Sequence, residues 1–185
     1  MQREMLKIVK KWRLKVKLKL ADSSDKPIII TNYPVTEELF HDCDLVYMDS
    51  NDISNLYTWI KEKKYFGAYI FLDEAGILFP SMDWKAIPKD VIYGLRQHRH
   101  SGYTLYYTAQ DMDDVSAPLR RITQFVNEID GWSVLRFSSF KCFSVRKGKA
   151  NYKDQYDKGV FIHSDKLYGS YSTHHDTTEP DWLVS

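Results

Sequence analysis

The sequence predicts an α/β fold with a mostly parallel central sheet, on three observations. First, Ile28–Ile30 and Tyr69–Leu72 are apolar runs too short for helices and too uniform for half-solvated strands, so they read as strands covered on both faces. Second, segments with helical spacing, Ile53–Ile60 and Lys89–His100, fall between strand-like runs. Third, polar turn residues punctuate the alternation, as in Asp22-Ser23-Ser24-Asp25-Lys26-Pro27 and Asp49-Ser50-Asn51-Asp52. Strands that alternate with helices form a parallel sheet with helices on its faces.

The elements follow in order. Residues 1–20 carry Arg3, Lys7, Lys10, Lys11, Arg13, Lys15, Lys17 and Lys19 against one acid, Glu4. Leu6, Val9, Trp12, Val16 and Leu20 fit one helical face, while Leu14, Val16, Leu18 and Leu20 also alternate as in a strand; a helix is the first reading. Its basic face could meet nucleic-acid phosphates or an anionic membrane, although solvated lysine stems explain the same pattern more simply. Strands follow at Ile28–Ile30 and Leu45–Met48, and Asp49–Asp52 caps a helix carrying Ile53, Leu56, Tyr57 and Ile60. The strand Ala68–Leu72 is next, then an irregular Pro80–Pro88 connection anchored by Met82 and Trp84. A helix over Lys89–His100, a strand over Tyr103–Tyr107 and a helix over Ser116–Ile129 complete an α/β core spanning 27–130. Beyond Asp130-Gly131, strand-like runs Trp132–Phe137 and Cys142–Arg146, linked by Ser138–Lys141, predict a hairpin extension over 131–165. Val160–His163 reads as a last short strand, Tyr168 onward as irregular, and 173–185 as a peripheral tail; one domain is expected.

Composition excludes several classes. A chain of 185 residues with a formal net charge of +1 has no bulk electrostatic bias toward nucleic acid. Cys43 and Cys142 form neither a metal spacing nor a disulfide framework and read as free thiols of a reducing compartment. No apolar stretch approaches the roughly 20 residues of a membrane span, and no signal-peptide core opens the chain, so a soluble protein is expected.

The chemistry concentrates at strand ends. Gly67-Ala68-Tyr69-Ile70-Phe71-Leu72-Asp73-Glu74-Ala75-Gly76 ends in two carboxylates at the carboxyl end of its strand, the edge where open α/β sheets bind ligands. The pair looks like a Walker B element, with the Asp serving Mg²⁺ and the Glu activating water; a buried strand that merely exits into a polar turn would look the same. If Tyr103–Tyr107 pairs beside that strand, Thr108 and Gln110 emerge at the same edge, where an amide can bond a γ-phosphate or its attacking water. Arg120 and Arg121 could neutralise phosphoryl charge, or simply line a solvated helix face.

Taken together, Tyr69-Ile70-Phe71-Leu72-Asp73-Glu74-Ala75, Leu95-Arg96, His98-Arg99-His100 with Gly102, the strand to Thr108-Ala109-Gln110, and Leu119-Arg120 resemble the zonular occludens toxin (Zot) family of filamentous-phage assembly ATPases. Ile30-Thr31-Asn32 resembles the family's segment before the next crossover; the likeness covers Ile28 to Val126, with a weaker echo in the hairpin and in Tyr171–Thr178. The resemblance implies a RecA-like P-loop NTPase, a three-layer sandwich with a mostly parallel sheet and a C-terminal β-hairpin. It also implies ATP and Mg²⁺ as cofactors, Asp73 as metal ligand, Glu74 as catalytic carboxylate, Gln110 as sensor and Arg120 as finger. Thr108 and Arg99 join the nucleotide-binding set, with Arg99 or Arg120 reaching a neighbour's nucleotide in a homo-oligomer. The implied partners are single-stranded DNA or virion proteins and an inner-membrane protein. The implied location is cytoplasmic, peripheral at the host inner membrane.

The chain departs from the pattern at one point. A P-loop needs Gly-x-x-x-x-Gly-Lys-Ser/Thr, and the nearest string, Lys147-Gly148-Lys149-Ala150, lacks the first Gly and the hydroxyl. Either a loop lies upstream of this sequence, or the chain is a relative that binds no nucleotide and serves as a structural or interaction subunit. His98 and His100 point to different helix faces and read as structural or phosphate-proximal, not as metal ligands. His174-His175-Asp176 reads as solvated tail, and aromatic residues such as Trp132 and Tyr168 as packing, with stacking on single-stranded bases the alternative.

Overall fold

In a computed structural model that describes residues 2–35, 37–49, 52–132 and 136–163, four short strands form a parallel sheet. They are β1 (Ile28–Thr31), β2 (Asp44–Tyr47), β3 (Tyr69–Leu72) and β4 (Thr104–Tyr107), in the order β2-β1-β3-β4. The register aligns Ile30 with Ile70 and Phe71 with Tyr106, so β1, β3 and β4 end together at one carboxyl edge.

Alternation along the strands divides the core into two layers. Ile29 and Phe71 face α1 (Gln2–Lys17) and α2 (Glu37–Phe40), where Met5, Val9, Phe40 and Cys43 are buried. Ile30, Ile70 and Leu72 face α3 (Asp52–Glu62), α5 (Lys89–Gln97) and α6 (Ala117–Ile122), burying Leu56, Val91, Leu95 and Leu119. A sheet with helices on both faces is therefore present, as the alternation predicts. The start of α3 is fixed by a reciprocal pair: Asp49 N donates to the Asp52 carboxylate at 3.2 Å, and Asp52 N to that of Asp49 at 2.8 Å.

α1 runs against the strand direction. Its last turns meet the loops that enter β1 and β2, through Trp12 Nε1 donating to Asp25 O at 2.7 Å and an Arg13–Asp42 ion pair at 2.5 Å. Its first turn lies by the segment leaving β1, where the Tyr33 hydroxyl contacts Met5 Sδ at 3.1 Å. The buried stripe is centred on Met5 and Val9; Leu20, beyond the helix end, is 73% exposed and lies outside the expected face.

Three local expectations are corrected. Met82 is 91% exposed and Trp84 also lies at the surface, because Leu78 of the short helix α4 (Ala75–Leu78), Phe79 and Ile87 fill the core there. The helix expected over Ser116–Ile129 stops at Ile122, with Thr123 already in extended conformation. β5 (Phe125–Trp132) follows and pairs antiparallel with β6 (Phe137–Arg146), so cross-strand packing overrides a fortuitous helical spacing. Ser138–Lys141, expected as a link, lies inside β6, and the last strand, expected as a short one over Val160–His163, is β7 (Lys149–Ile162), which starts eleven residues earlier. Lys147 and Gly148 turn β6 into β7 with φ of 55° and 77°, the left-handed pair of a two-residue hairpin. The sequence readings for Tyr168, Tyr171–Thr178, His174, His175, Asp176 and the tail lie outside the described residues, as does the side chain of Trp132.

Candidate functional site

The carboxyl edge of the sheet gathers a small polar constellation from three strand ends. Asp73 leaves β3 half-buried, and its Oδ1 accepts a 2.5 Å hydrogen bond from Thr108 Oγ1 at the end of β4. The same hydroxyl accepts from Glu74 N at 3.1 Å, and Thr108 O accepts from Ala75 N at 2.8 Å. Thr108 thus satisfies the turn after β3 while orienting one carboxylate oxygen.

On the other side, Asn32 at the end of β1 clamps the peptide groups of Asp73. Its Oδ1 accepts from Asp73 N at 2.7 Å and its Nδ2 donates to Asp73 O at 3.1 Å. The side-chain amide continues the β1–β3 ladder one step beyond Thr31, as an extra peptide would. In the sequence, Asn32 stands out only within the resemblance of Ile30-Thr31-Asn32 and carries no role of its own. The available signal was an Asn directly after a buried strand, where its amide can imitate the backbone.

Glu74 is exposed and adopts φ 51°, ψ 52°, a left-handed conformation uncommon for a non-glycine residue. That geometry starts α4 and costs roughly 1–2 kcal/mol; Glu74 O accepts from Ile77 N at 2.9 Å. Gln110 is exposed in the bend after β4 and makes no hydrogen bond to a described residue. Asp73, Glu74, Thr108 and Gln110 therefore share one edge, as the sequence predicts.

The two candidate arginines are placed differently. Arg120, on α6, is mostly buried and ion-paired through Nη1 with Asp113, in the loop that follows β4, while its Nε is buried without a partner among the described residues. Arg99 lies in the turn before β4, at the amino edge of the sheet, so it is not brought to the Asp73 constellation. Its Nη2 donates to Ile122 O at 3.0 Å, and with the Gln124 amide turned oxygen-inward its Nη1 donates there at 2.5 Å. His98 is buried, and its Nδ1 donates to Leu95 O at the end of α5; burial pushes its pKa below the usual 6.5 and Arg99 adds to the decrease, while the bond to Leu95 opposes it. His100 is exposed, so the two histidines diverge as expected.

Among the described residues no group of three or more His, Cys, Asp or Glu is placed to hold a metal ion. One carboxylate with an adjacent hydroxyl suits Mg²⁺ only in the way nucleotide sites use it, with water and phosphate oxygens completing the shell. The donor set at Asp73 and Thr108 fits that requirement, whereas a phosphate-wrapping glycine loop is not in these 185 residues.

A parallel sheet covered by helices on both faces, with an Asp at the carboxyl end of one strand bonded to a Thr at the end of the next, is consistent with a RecA-like α/β fold. The chain belongs to the zonular occludens toxin (Zot) family, whose model matches residues 30–175. Among solved structures it is similar to the N-terminal domain of zonular occludens toxin from Neisseria meningitidis, with 15% identity, 85% of this chain and 90% of that chain covered, and a TM-score of 0.57. It is also similar to the genome packaging NTPase B204 from Sulfolobus turreted icosahedral virus 2 in complex with ATP-gammaS. There the identity is 14%, the cover 86% of this chain and 90% of that chain, and the TM-score 0.48. Comparison with curated proteins gives no match. At such identities the likeness to solved structures concerns the fold. No helix among the described residues is long and apolar enough to cross a membrane.

Proposed function

We propose that this chain is the ATPase-type domain of a motor that assembles or exports phage or virus particles, and that Asp73, Thr108 and Asn32 form the carboxylate half of its nucleotide site. The observation that carries the proposal is the oriented Asp73 carboxylate at the sheet's carboxyl edge, in a chain of the Zot family. The clamp from Asn32 and the hydroxyl of Thr108 fix Asp73 from both neighbouring strands, which is the preorganisation a metal-bound phosphate needs. Asp73 would hold Mg²⁺, which supplies neutralisation of phosphoryl oxygens when bound. Glu74, exposed beside it, orients and deprotonates the attacking water; Gln110 reads the phosphate at the same edge; Thr108 binds from β4. Arg120 acts on phosphoryl charge once released from Asp113, and Arg99 acts only across a subunit boundary, since its own edge is the opposite one. The phosphate loop comes from outside these residues. The assembly is a homo-oligomer that handles single-stranded DNA or virion proteins and is held at the host inner membrane by a partner.

The test is ATP turnover by the chain extended in frame with a glycine-rich loop from its own upstream sequence. Glu74→Gln is expected to lower turnover by roughly 10²–10⁴-fold; unchanged turnover refutes the role of Glu74. A second reading, a RecA-like structural or interaction subunit without nucleotide binding, is favoured by the missing loop. Tight ATP binding by the 185 residues themselves, measured by calorimetry, would exclude it.

A further inference from the structure

The amino edge of the sheet carries a second polar feature, remote from Asp73. The end of α5, the turn into β4, the end of α6, the start of β5 and the end of β6 enclose a cleft of about 500 Å³. Arg96, Arg99, His100 and Arg121 line it and are all exposed, and no carboxylate lines it. Among the described residues no ion pair engages any of the three arginines. Arg99 is held by a carbonyl and an amide, which fix its position without cancelling its charge. From β7, the carboxylate of Asp154 accepts from Ser144 Oγ at 2.7 Å, a bond that ties it to the sheet.

Arg96 and Arg121 sit in the last turns of α5 and α6, where they offset the helix dipoles. That role leaves the neighbouring aromatics unexplained. Phe125, 45% exposed on the cleft wall, lies 4.9 Å from the ring of Tyr156, itself 73% exposed. Exposed ring faces beside unneutralised guanidinium groups are the combination that binds single strands, whose bases stack while their phosphates meet cations one at a time. A compact triphosphate fits less well, because both helices present carbonyl-bearing C-termini there and no helix N-terminus or glycine loop is available to wrap it. An acidic protein segment would use the cations and leave the ring faces idle.

We infer that this cleft binds single-stranded nucleic acid, with Arg96 and Arg121 on backbone phosphates and Phe125 with Tyr156 stacking on bases. The inference deepens the proposed motor function by naming where the strand is met, and it needs no nucleotide turnover.

The experiment is fluorescence anisotropy of a labelled 20-mer oligothymidylate titrated with the 185-residue chain, without ATP, over a range of salt. Arg96→Glu and Arg121→Glu are each expected to weaken binding roughly tenfold at low salt and to reduce the log–log salt slope by about 0.7 per lost phosphate contact. Phe125→Ala should weaken binding by roughly tenfold at every salt concentration with the slope unchanged, and Phe125→Trp should restore it. Lys10→Glu on the basic helix should have no effect. Circular dichroism checks that each variant is folded. The inference is overturned if Arg96→Glu and Arg121→Glu bind like the parent, if Lys10→Glu alone abolishes binding, or if Mg·ATP competes the strand off through these arginines. Absence of ATP turnover by the loop-extended chain, with the 185 residues binding the oligonucleotide in this way, refutes the proposed catalytic function and leaves the cleft assignment standing.

Discussion

Replacing Asn32 by Ala isolates the clamp on Asp73, because only the side-chain amide is lost and the strand β1 ends just before it. The change deletes two hydrogen bonds, of 2.7 and 3.1 Å, to the two peptide groups of a half-buried residue. At roughly 0.5–1.5 kcal/mol each, with water able to rehydrate part of the exposed backbone, the loss is about 2 kcal/mol. For a chain of 185 residues that corresponds to a melting temperature lower by roughly 4–8 °C. It also lowers the urea midpoint by about 1 M. Asn32→Asp keeps an acceptor for Asp73 N but replaces the donor to Asp73 O with a negative charge, so near neutral pH it should be no more stable than Asn32→Ala. Thr108→Val removes the hydroxyl that both orients the Asp73 carboxylate and accepts from Glu74 N. The two changes act on one turn, so the double mutant should show a coupling of roughly 0.5–3 kcal/mol. Urea denaturation of the five proteins, the parent and its four variants, reads all of this. A loss under about 0.5 kcal/mol for Asn32→Ala, or strict additivity with Thr108→Val, refutes the picture of one clamped turn.

Further predictions concern groups away from that turn. Gly102 has φ 77°, and a Cβ there would stand 3.1 Å from the Phe66 ring, so Gly102→Ala should lose roughly 1–2 kcal/mol from backbone conformation alone; adding Phe66→Ala should recover only the contact part, as chemical denaturation will show. Burial, with Asp44 and Asp42 nearby, pushes the Cys43 thiol to about 11, and its Sγ donates to Phe40 O. Iodoacetamide at pH 8 should therefore label Cys43 at least about a hundredfold more slowly in the folded than in the unfolded chain, as mass spectrometry can follow. The pKa of His98 is depressed below 6.5 in the folded state, so the neutral ring is the form the fold favours. Its contribution to stability is complete above pH 6.5 and declines as pH falls through the lower folded value, so stability should drop as the pH is taken below 6.5, and His98→Gln should flatten that slope.

The parts of the fold legible in the sequence are those where one kind of burial dominates. Ile28–Ile30 and Tyr69–Leu72 are covered on both faces, which leaves an apolar run with no other reading, and their carboxyl ends locate Asp73 and Thr108 at one edge. The antiparallel sheet was legible as a hairpin extension with a last short strand, but its strand bounds were hidden for the opposite reason. β7 is largely exposed, with residues such as Lys153, Asp154, Gln155 and Asp157 that carry no apolar alternation, and its place is set by pairing with β6 and by the Lys147-Gly148 turn. Leu119, Ile122, Val126 and Ile129 recur at helical spacing, yet the chain extends from Thr123 because Val126 and Ile129 pair across to Phe143 and Phe140. Asn32 was invisible as a functional residue because its role depends on where β3 ends, a distance of 41 residues along the chain. The basic cleft likewise joins Arg96, Arg99, Arg121 and Phe125 from different elements, and no local motif announces it.

The central claim is that Asp73 is the metal-facing carboxylate of a nucleotide site completed by a phosphate loop from outside these residues. Isothermal calorimetry of ATP binding to the loop-extended chain, with Mg²⁺ and with EDTA, tests it directly when repeated on Asp73→Asn. The account predicts that Mg²⁺ tightens ATP binding to the parent and that Asp73→Asn removes the Mg²⁺-dependent part while the metal-free affinity stays. An equal Mg²⁺ effect in parent and Asp73→Asn would contradict it.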